Sequence, residues 1–295
     1  MTYSIVARDQ GSGQMGVAVQ SHWFSVGSVV TWTEAGVGAV ATQAFAEVSY
    51  GPRGLDALRE GQSPSDALAS LLDADPMSDR RQVAMVDAAG AVVAHTGAMT
   101  IQSASHVTGD GFSCQANMML TDTVPEAMAK AFAAAEGEFV DRLLAALEAA
   151  EAEGGDIRGR QSAAISIVAG EKQDGILNRK LLELRVEDHP EPLTEMRRLL
   201  TVHRAYESMN EGNAKLVGGD LEGALSCFAA AQDAVPDNVE FSFHPAVTLA
   251  ATGHIDEAKR VISRTFAASE NWRELLSRLP AVGMLEEDTL SKLLS

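Results

Sequence analysis

Thr2, the second residue of the chain, is the side chain whose position is best suited to chemistry. Removal of Met1, which is common when the next side chain is small, would leave the threonine hydroxyl beside a free α-amine. Because an α-amine has a pKa of about 7.7–8.0, its neutral form can accept the hydroxyl proton without a histidine. This is the N-terminal threonine form of nucleophilic catalysis. The alternative is that Thr2 is a β-branched residue that simply begins a strand.

Other nucleophiles in the sequence have no recognisable partner. Cys114 could act as a thiolate if a histidine such as His106 came near, but a lone cysteine on a predicted strand is more often a buried apolar residue. A non-terminal serine such as Ser4 is a further alternative. The sequence has no GxSxG, HExxH or P-loop motif, and its seven histidines show no metal-ligand spacing. We expect neither a metal nor another cofactor.

The segment Gly11–Gly16 matches the GxGxxG pattern of dinucleotide-binding sites. Such a site requires the last glycine to begin a helix, whose N-terminus holds the pyrophosphate. Here Val17, Ala18 and Val19 follow instead, which is typical of a strand. We interpret the segment as the turn of a β-hairpin.

Short β-rich runs and helical segments alternate in the first two thirds of the chain. Strands are predicted at 3–7, 16–20, 26–32, 36–42, 82–87, 91–96, 111–116, 162–169 and 177–186. Helices are predicted across 51–72, with Ser63 as an N-cap, across 125–153 and after His189. Because strands precede and follow a central helical block, we expect a layered α+β domain over residues 1–206.

Residues 207–295 have a helical pattern throughout and contain an internal repeat. Three residues recur 34 positions later, namely Gly219, Leu221 and Ala224 as Gly253, Ile255 and Ala258. This is the tetratricopeptide period. A stable solenoid needs about three repeats, so such a region would pack on the first domain or on a partner. A plain helical bundle is the alternative.

Charge and cysteine content restrict the partners and the compartment. The chain has 295 residues, with 41 acidic and 23 basic side chains, and a formal net charge of −18. This charge repels phosphate-rich surfaces, so we expect no nucleic-acid or membrane partner. Two cysteines, Cys114 and Cys227, are too few for a disulfide framework. Without a recognisable secretion signal or membrane span, the sequence predicts a cytoplasmic protein.

Several motifs are distinctive, and they are TYSIVARD at 2–9, GVAVQS at 16–21, AGVGAVATQ at 35–43, SYGPRG at 49–54, CQAN at 114–117 and GRQSAA at 159–164. Together they resemble a bacterial family of unknown function with an Ntn-hydrolase-like fold, over about residues 1 to 205. The resemblance implies a four-layer αββα sandwich, two stacked sheets flanked by helices. Proteasome subunits and N-terminal nucleophile amidases share that architecture.

In such enzymes the terminal nucleophile lies at the end of a strand in the cleft between the sheets, and an amide or a backbone N–H stabilises the oxyanion. The resemblance therefore makes Thr2 the candidate nucleophile. Asn117, which leaves a predicted strand, is the candidate oxyanion donor, with a capping or turn role as its alternative. The first lysine of the chain is Lys130, so the early-strand lysine of the proteasome has no equivalent and the α-amine is the only evident base.

Ser21, Gln43 and Arg160 are the candidate substrate-binding residues. Ser21 and Gln43 end predicted strands and could line the same cleft. Arg160 could bind a substrate carboxylate or pair with an internal acid such as Asp9 or Asp188. We favour the internal pair, because buried arginines usually serve structure.

These features lead us to expect an Ntn-type amidohydrolase that cleaves a C–N amide bond in a small amide or a modified peptide. The alternative is a catalytically inert Ntn-fold scaffold whose C-terminal helices bind a partner protein. Paired sheets and an acidic surface are also compatible with a homodimer.

Overall fold

The computed structural model describes residues 2–172 and 180–295, which form two compact units. The first unit ends at Arg197 and the second runs from Arg198 to Ser295. Both this division and the boundary predicted at residue 206 fall within one long helix, Pro192–Val217.

The described strands all belong to the first unit. In chain order they are β1 Thr2–Arg8, β2 Met15–Ser21, β3 Thr31–Glu34, β4 Gly38–Ala44, β5 Arg81–Asp87, β6 Val92–Thr96, β7 Ser105–Gly109, β8 Phe112–Asn117, β9 Ser162–Val168 and β10 Leu182–Val186. One sheet has six strands in the order β10-β9-β2-β1-β8-β7, and the other has four in the order β3-β4-β5-β6. Neighbouring strands pair antiparallel throughout.

Helices contact both sheets. The α-helices that begin in the first unit are α1 Gly27–Val30, α2 Tyr50–Arg59, α3 Pro64–Asp73, α4 Val124–Ala134, α5 Phe139–Ala152 and α6 Pro192–Val217. Helices α2 and α3 contact the four-stranded sheet, and α4 and α5 contact the six-stranded sheet. The sheets contact each other through β1 and β2 on one side and β4 and β5 on the other. The first unit is thus a mixed α+β structure, as predicted.

Side chains between the sheets form an apolar core. Val6, Val17 and Val19 from β1 and β2 pack with Ala39 and Ala41 from β4, and all five are fully buried. Complete burial of a valine side chain is worth about 1.5–3 kcal/mol. This core fixes the register of the strands whose ends carry the polar residues described below, since a shift by one residue would turn these valines outward.

Two local predictions are confirmed. The hairpin of β1 and β2 turns at Gly11–Gly13, where Gly13 has a φ of +73° and the Asp9 carboxylate accepts hydrogen bonds from the backbone N–H and hydroxyl of Ser12. Ser63 caps α3 by accepting a hydrogen bond from the backbone N–H of Asp66, and Pro64 is the first helical residue.

Three other local predictions need correction, and one strand was missed. Residues 26–32 form α1 and the start of β3 rather than one strand, because a short apolar run does not distinguish a strand from a buried helical turn. The predicted helix 125–153 is two helices, interrupted near Gly137, whose φ is +95°. Strand β7 was not predicted. Residues 180 and 181, which were predicted as strand, precede β10, and residues 177–179 of that prediction lie outside the described residues.

The second unit is helical in the part of the chain described. After the C-terminal part of α6 it contains α7 Leu221–Ala234, α8 Glu240–Ala251, α9 Ile255–Ala268, α10 Asn271–Arg278 and α11 Glu287–Leu294. Its core includes Phe228, Phe241 and Phe243, each at most 3% exposed. No helix among the described residues combines the length and apolar character that crossing a bilayer requires.

Candidate functional site

Thr2 lies at the start of β1, an interior strand of the six-stranded sheet. Its residue surface is 5% exposed, and its hydroxyl donates a hydrogen bond to Ser21 Oγ at 3.1 Å. Its main-chain oxygen lies 3.3 Å from both Asn117 Nδ2 and Gln43 Nε2, which donate to it. Groups from three other strands therefore fix the position of Thr2.

Thr2 is one of the residues that line a cavity of about 370 Å³. The described lining residues are Thr2, Ser21, Trp23, Val26, Val29, Val30, Gln43, Ala44, Phe45, Ala46 and Arg158. The structure thus brings Thr2, Ser21 and Gln43 into one wall. The remaining wall is mostly apolar, and Trp23 and Phe45 are 58% and 60% exposed. A small polar centre in a mostly apolar cavity is typical of small-molecule sites.

A smaller cavity, of about 150 Å³, shares Ala44 and Phe45 with the first. Its other described lining residues are Arg80, Met99, Thr100, Ile101 and Asn117. Because Thr2 and Asn117 are register partners on β1 and β8, the residues that line the two cavities meet at this strand pair.

The wall shared by the two cavities has a strained backbone. Ala44 has a φ of +68°, a left-handed conformation that residues other than glycine adopt at a cost of about 1–3 kcal/mol. Arg81 holds the next residue by donating from Nη1 to the carbonyl oxygen of Phe45, and its guanidinium lies over the Phe45 ring. This strain therefore lies where the two cavities meet, and Arg81 fixes the adjoining residue.

Arg81 is in turn paired with Asp75, with Nε 2.7 Å from Oδ2. The hydrogen bond from Arg81 is the largest influence on Asp75 and lowers the pKa of that carboxyl to about 2. The hydroxyl of Tyr50 also donates to Asp75, and burial together with this carboxylate raises the pKa of Tyr50 to about 12. The shared wall thus rests on a network of charged and polar side chains.

Gln82 lies at the centre of a second buried network, between the sheets. Its Oε1 accepts hydrogen bonds from Gln43 Nε2 at 2.7 Å and Asn117 Nδ2 at 2.9 Å. The two hydrogens of its Nε2 are shared among three acceptors within 3.1 Å, Thr96 Oγ1 and the carbonyl oxygens of Ser105 and Ala116. Gln82 was not among the predicted site residues, although a glutamine at the start of an apolar strand is a usable signal.

The same network continues through β1. Ser4 donates to Gln43 Oε1 at 2.6 Å and accepts from Gln115 Nε2 at 2.7 Å. At its other end Thr96 Oγ1 lies 2.8 Å from His106 Nδ1. Burial, with a smaller effect from His95, holds the pKa of His106 below its usual range.

The amide of Asn117 donates from one nitrogen to two acceptors, Thr2 O and Gln82 Oε1. An amide nitrogen has two hydrogens, and both are engaged here. Asn117 also lines the smaller cavity and not the one that Thr2 lines. In this geometry its amide holds Thr2 in place and is not directed at an oxyanion in the larger cavity.

Arg160 is not among the residues that line the cavity of Thr2. It forms ion pairs with Glu151 and Glu191, and its side chain is 41% exposed. The internal pair that we favoured is present, but the expected burial and the expected partners Asp9 and Asp188 are wrong. Arg142 pairs with Asp9 instead, at 2.7 Å.

Arg158 is the arginine in the cavity wall, two positions before the predicted one. It pairs with Asp156 through Nη2 and Oδ2 at 2.8 Å, and Nε also donates to this carboxylate. Asp156 is buried and accepts a further hydrogen bond from the backbone N–H of His22. The sequence motif places both arginines near the site, but side-chain direction decides which one reaches the cavity.

The alternative nucleophiles are enclosed. Cys114 is fully buried, and burial raises the pKa of its thiol, which disfavours the reactive thiolate. Ser4 is also fully buried and donates its hydroxyl hydrogen to Gln43. Among residues 2–172 and 180–295, no group of three or more His, Cys, Asp or Glu side chains could hold a metal ion.

Comparison with known proteins identifies relatives but no activity. No protein among the curated sequences matches this chain. A crystal structure of a protein from Silicibacter pomeroyi, described as a DUF1028 family member, is 31% identical in sequence, with a TM-score of 0.61. The match covers 68% of this chain and 87% of that one. Residues 2–196 match the sequence profile of DUF1028, a family of unknown function, and the chain therefore belongs to that family.

Proposed function

We propose that this protein is an N-terminal-nucleophile amidohydrolase in which Thr2 attacks a C–N amide bond. One observation carries the proposal, which is that Thr2 and Ser21, the acceptor of its hydroxyl hydrogen bond, both line a cavity of about 370 Å³. Thr2 becomes the terminal residue when the peptide bond before it is cleaved. Met1, whose removal we expect, lies outside the described residues.

The arrangement of the first unit supports this proposal. Helices α4 and α5 contact the six-stranded sheet, this sheet contacts the four-stranded sheet, and α2 and α3 contact the latter. We propose that these four layers are the αββα sandwich of Ntn hydrolases. Thr2 begins a strand that contacts the other sheet, which is the position the nucleophile has in that architecture.

The proposed reaction uses the groups around Thr2. The hydroxyl hydrogen of Thr2, which is donated to Ser21 in the structure, turns to the α-amine in the reaction. The α-amine accepts this proton as Thr2 Oγ1 bonds to the substrate carbonyl carbon, and the departing amine takes it when the C–N bond breaks. Water then attacks the ester carbonyl, releases the carboxylic acid and returns the proton to Thr2. Ser21 fixes the rotamer of the Thr2 hydroxyl, and Asn117 and Gln43 are positioning residues that hold its main chain.

Arg158 is our candidate for stabilising the oxyanion. It is the positively charged residue in the described wall of the cavity, and Asp156 holds its guanidinium in place. A preorganised cation or N–H donor at a developing negative charge lowers the barrier, and loss of one donor costs about 10²–10³ in kcat. Arg160 has no such role in the proposal, since Glu151 and Glu191 bind it.

The cavity walls indicate an apolar acyl group. Val26, Val29 and Val30 form one part of the wall, and the exposed rings of Trp23 and Phe45 extend it. A cavity of this size accommodates a small amide or the end of a modified peptide.

The test is hydrolysis of a panel of acyl p-nitroanilides by wild-type protein and three variants. Thr2→Ala removes the nucleophile and should abolish turnover while leaving the melting temperature within a few degrees. Thr2→Ser keeps a hydroxyl and should retain part of the activity. Thr108→Ala, at an exposed threonine on β7, is the matched control and should behave as wild type. Unchanged turnover in Thr2→Ala would refute the proposal.

The helices of the second unit suggest a second candidate function, the binding of a partner protein. We propose that it is tetratricopeptide-like, because Gly219 and Gly253 both have φ near +90° and Ala224 and Ala258, 34 residues apart, are both fully buried. Under the alternative function, an inert scaffold, these helices bind a partner protein and Thr2 is structural. Retention of the partner by Thr2→Ala together with absence of any amide hydrolysis would favour that alternative.

A further inference from the structure

The two cavities that share Ala44 and Phe45 give the site two compartments. Thr2 lines the larger one, and Asn117, its register partner, lines the smaller one. An amide carbonyl carbon that reaches the Thr2 hydroxyl has substituents on two sides, the acyl group and the amine. The larger apolar cavity suits the acyl group, which leaves the smaller cavity for the amine side.

Arg80 is the charged residue among the described residues that line the smaller cavity. Its side chain is exposed, and its guanidinium makes no hydrogen bond or ion pair with any residue in the described ranges. The guanidinium of the next residue, Arg81, is in contrast paired with Asp75 and donates to the carbonyl oxygen of Phe45. Arg80 is therefore able to bind an anionic group of a ligand without first breaking an internal ion pair.

The charged residues that line the two cavities are basic, and Arg158 is paired with Asp156. Acidic residues outnumber basic ones by 41 to 23, yet the described residues that line these two cavities include two arginines and no Asp or Glu. A guanidinium binds a carboxylate through charge-assisted, often bidentate hydrogen bonds. Because Asp156 balances the charge of Arg158, the charge that favours an anionic ligand is that of Arg80.

We propose that the substrate is an N-acyl amino acid or a related amide with a carboxylate on its amine side, and that Arg80 binds this carboxylate. The placement of the scissile bond rests on the proposed function of Thr2. In the reaction the acyl carbon–nitrogen bond breaks, the acyl group is transferred to Thr2 Oγ1, and the amine leaves with the proton as an amino acid. Water then releases the carboxylic acid from Thr2.

The experiment measures binding, so that it does not depend on turnover. Full-length Thr2→Ala protein is titrated calorimetrically with N-acylglycines whose acyl groups run from acetyl to decanoyl, and with phenylacetylglycine. The corresponding N-acylglycinamides are the neutral probes. We expect at least one acid to bind about tenfold tighter than its neutral amide, and Arg80→Gln to remove this preference.

Arg53→Gln is the matched control, because Arg53 is an exposed arginine of α2 that lines neither cavity, and the preference should persist in it. Monoamides of succinic acid, which carry the carboxylate on the acyl side, should bind equally well to the parent protein and to the Arg80→Gln variant. Three results would overturn the inference: no member of the panel binds, acids bind no better than amides, or Arg80→Gln affects only the succinic monoamides. Amide hydrolysis that survives Thr2→Ala would instead refute the proposed nucleophile.

Discussion

The hydroxyl and the main-chain oxygen of Thr2 are both held by side chains from other strands. Ser21 accepts from the hydroxyl, and the amides of Asn117 and Gln43 donate to the oxygen. Both amides also donate to Gln82, which is fully buried. Gln82 thus connects the two residues that position the proposed nucleophile.

Replacement of Gln82 by leucine should therefore affect both stability and activity. It removes the acceptor for Gln43 and Asn117 and the donor to Thr96, and each buried polar group left unsatisfied costs about 1–3 kcal/mol. We expect a loss of at least about 2 kcal/mol in the free energy of unfolding and a fall in kcat for any amide that the wild type hydrolyses. Urea denaturation and steady-state kinetics measure the two effects.

The control for this prediction is Gln62→Leu, at an exposed glutamine that follows α2. Surface changes of this kind alter stability by about 0.5 kcal/mol or less. Equal stability of the two leucine variants would contradict the role that we assign to Gln82.

The C-terminal end of β4 forms the wall that the two cavities share. Its last residue, Ala44, adopts a left-handed backbone, and the following Phe45 is held through its carbonyl oxygen by Arg81. Arg81 and Asp75 have side-chain exposures of only 6% and 13%, so this ion pair is largely removed from water. The position of the wall between the two cavities depends on this pair.

Asp75→Asn should destabilise the protein by about 3 kcal/mol, because it leaves the buried guanidinium of Arg81 without its counter-charge. The pKa of Asp75 is lowered to about 2, so its charged form stabilises the fold above about pH 4 and that contribution is lost as the pH falls towards 2. The stability difference between wild type and variant should therefore be constant above pH 5 and become smaller between pH 4 and 2. Urea unfolding over this pH range measures it.

Asp56→Asn provides a matched comparison, because Asp56 pairs with Arg59 at the surface, where both side chains are exposed. Exposed pairs contribute about 0–1 kcal/mol. If Asp56→Asn and Asp75→Asn destabilise the protein equally, the ion pair of Arg81 and Asp75 does not stabilise the wall shared by the two cavities.

The sequence predicted the elements that are defined by local signals. The β1–β2 hairpin follows from its glycine-rich turn, and α3 follows from the Ser63 cap and Pro64. Strand β7 and the break between α4 and α5 were missed, since half-buried polar strands and single glycines give weak local patterns. Thr2, Ser21 and Gln43 were identified as one group, whereas the choice between Arg158 and Arg160 depends on tertiary packing.

In the molecule as a whole, each unit has its own hydrophobic core. One cluster of buried residues in the second unit contains residues from Ala205 to Leu293, and two clusters described in the first unit contain residues from Val6 to Val168. The residues around Thr2 all belong to the first unit.

A chain shortened after residue 206 should therefore fold cooperatively and retain the amide hydrolysis that we propose. The cut removes most of the second core but leaves β1 to β10, α1 to α5 and the first part of α6. Circular dichroism on heating tests folding, and the p-nitroanilide panel tests activity. Loss of the cooperative transition would show that the first unit depends on the second.

The state of the chain terminus tests the central claim most directly, because the proposed base exists only if Thr2 is the first residue. The measurement is the intact mass of untagged protein from its native host, with the terminal residue read by sequencing. We predict that the chain begins at Thr2 with a free α-amine. A chain that retains Met1, or that carries a blocked Thr2, would contradict the account, and the inert scaffold would then be the better description.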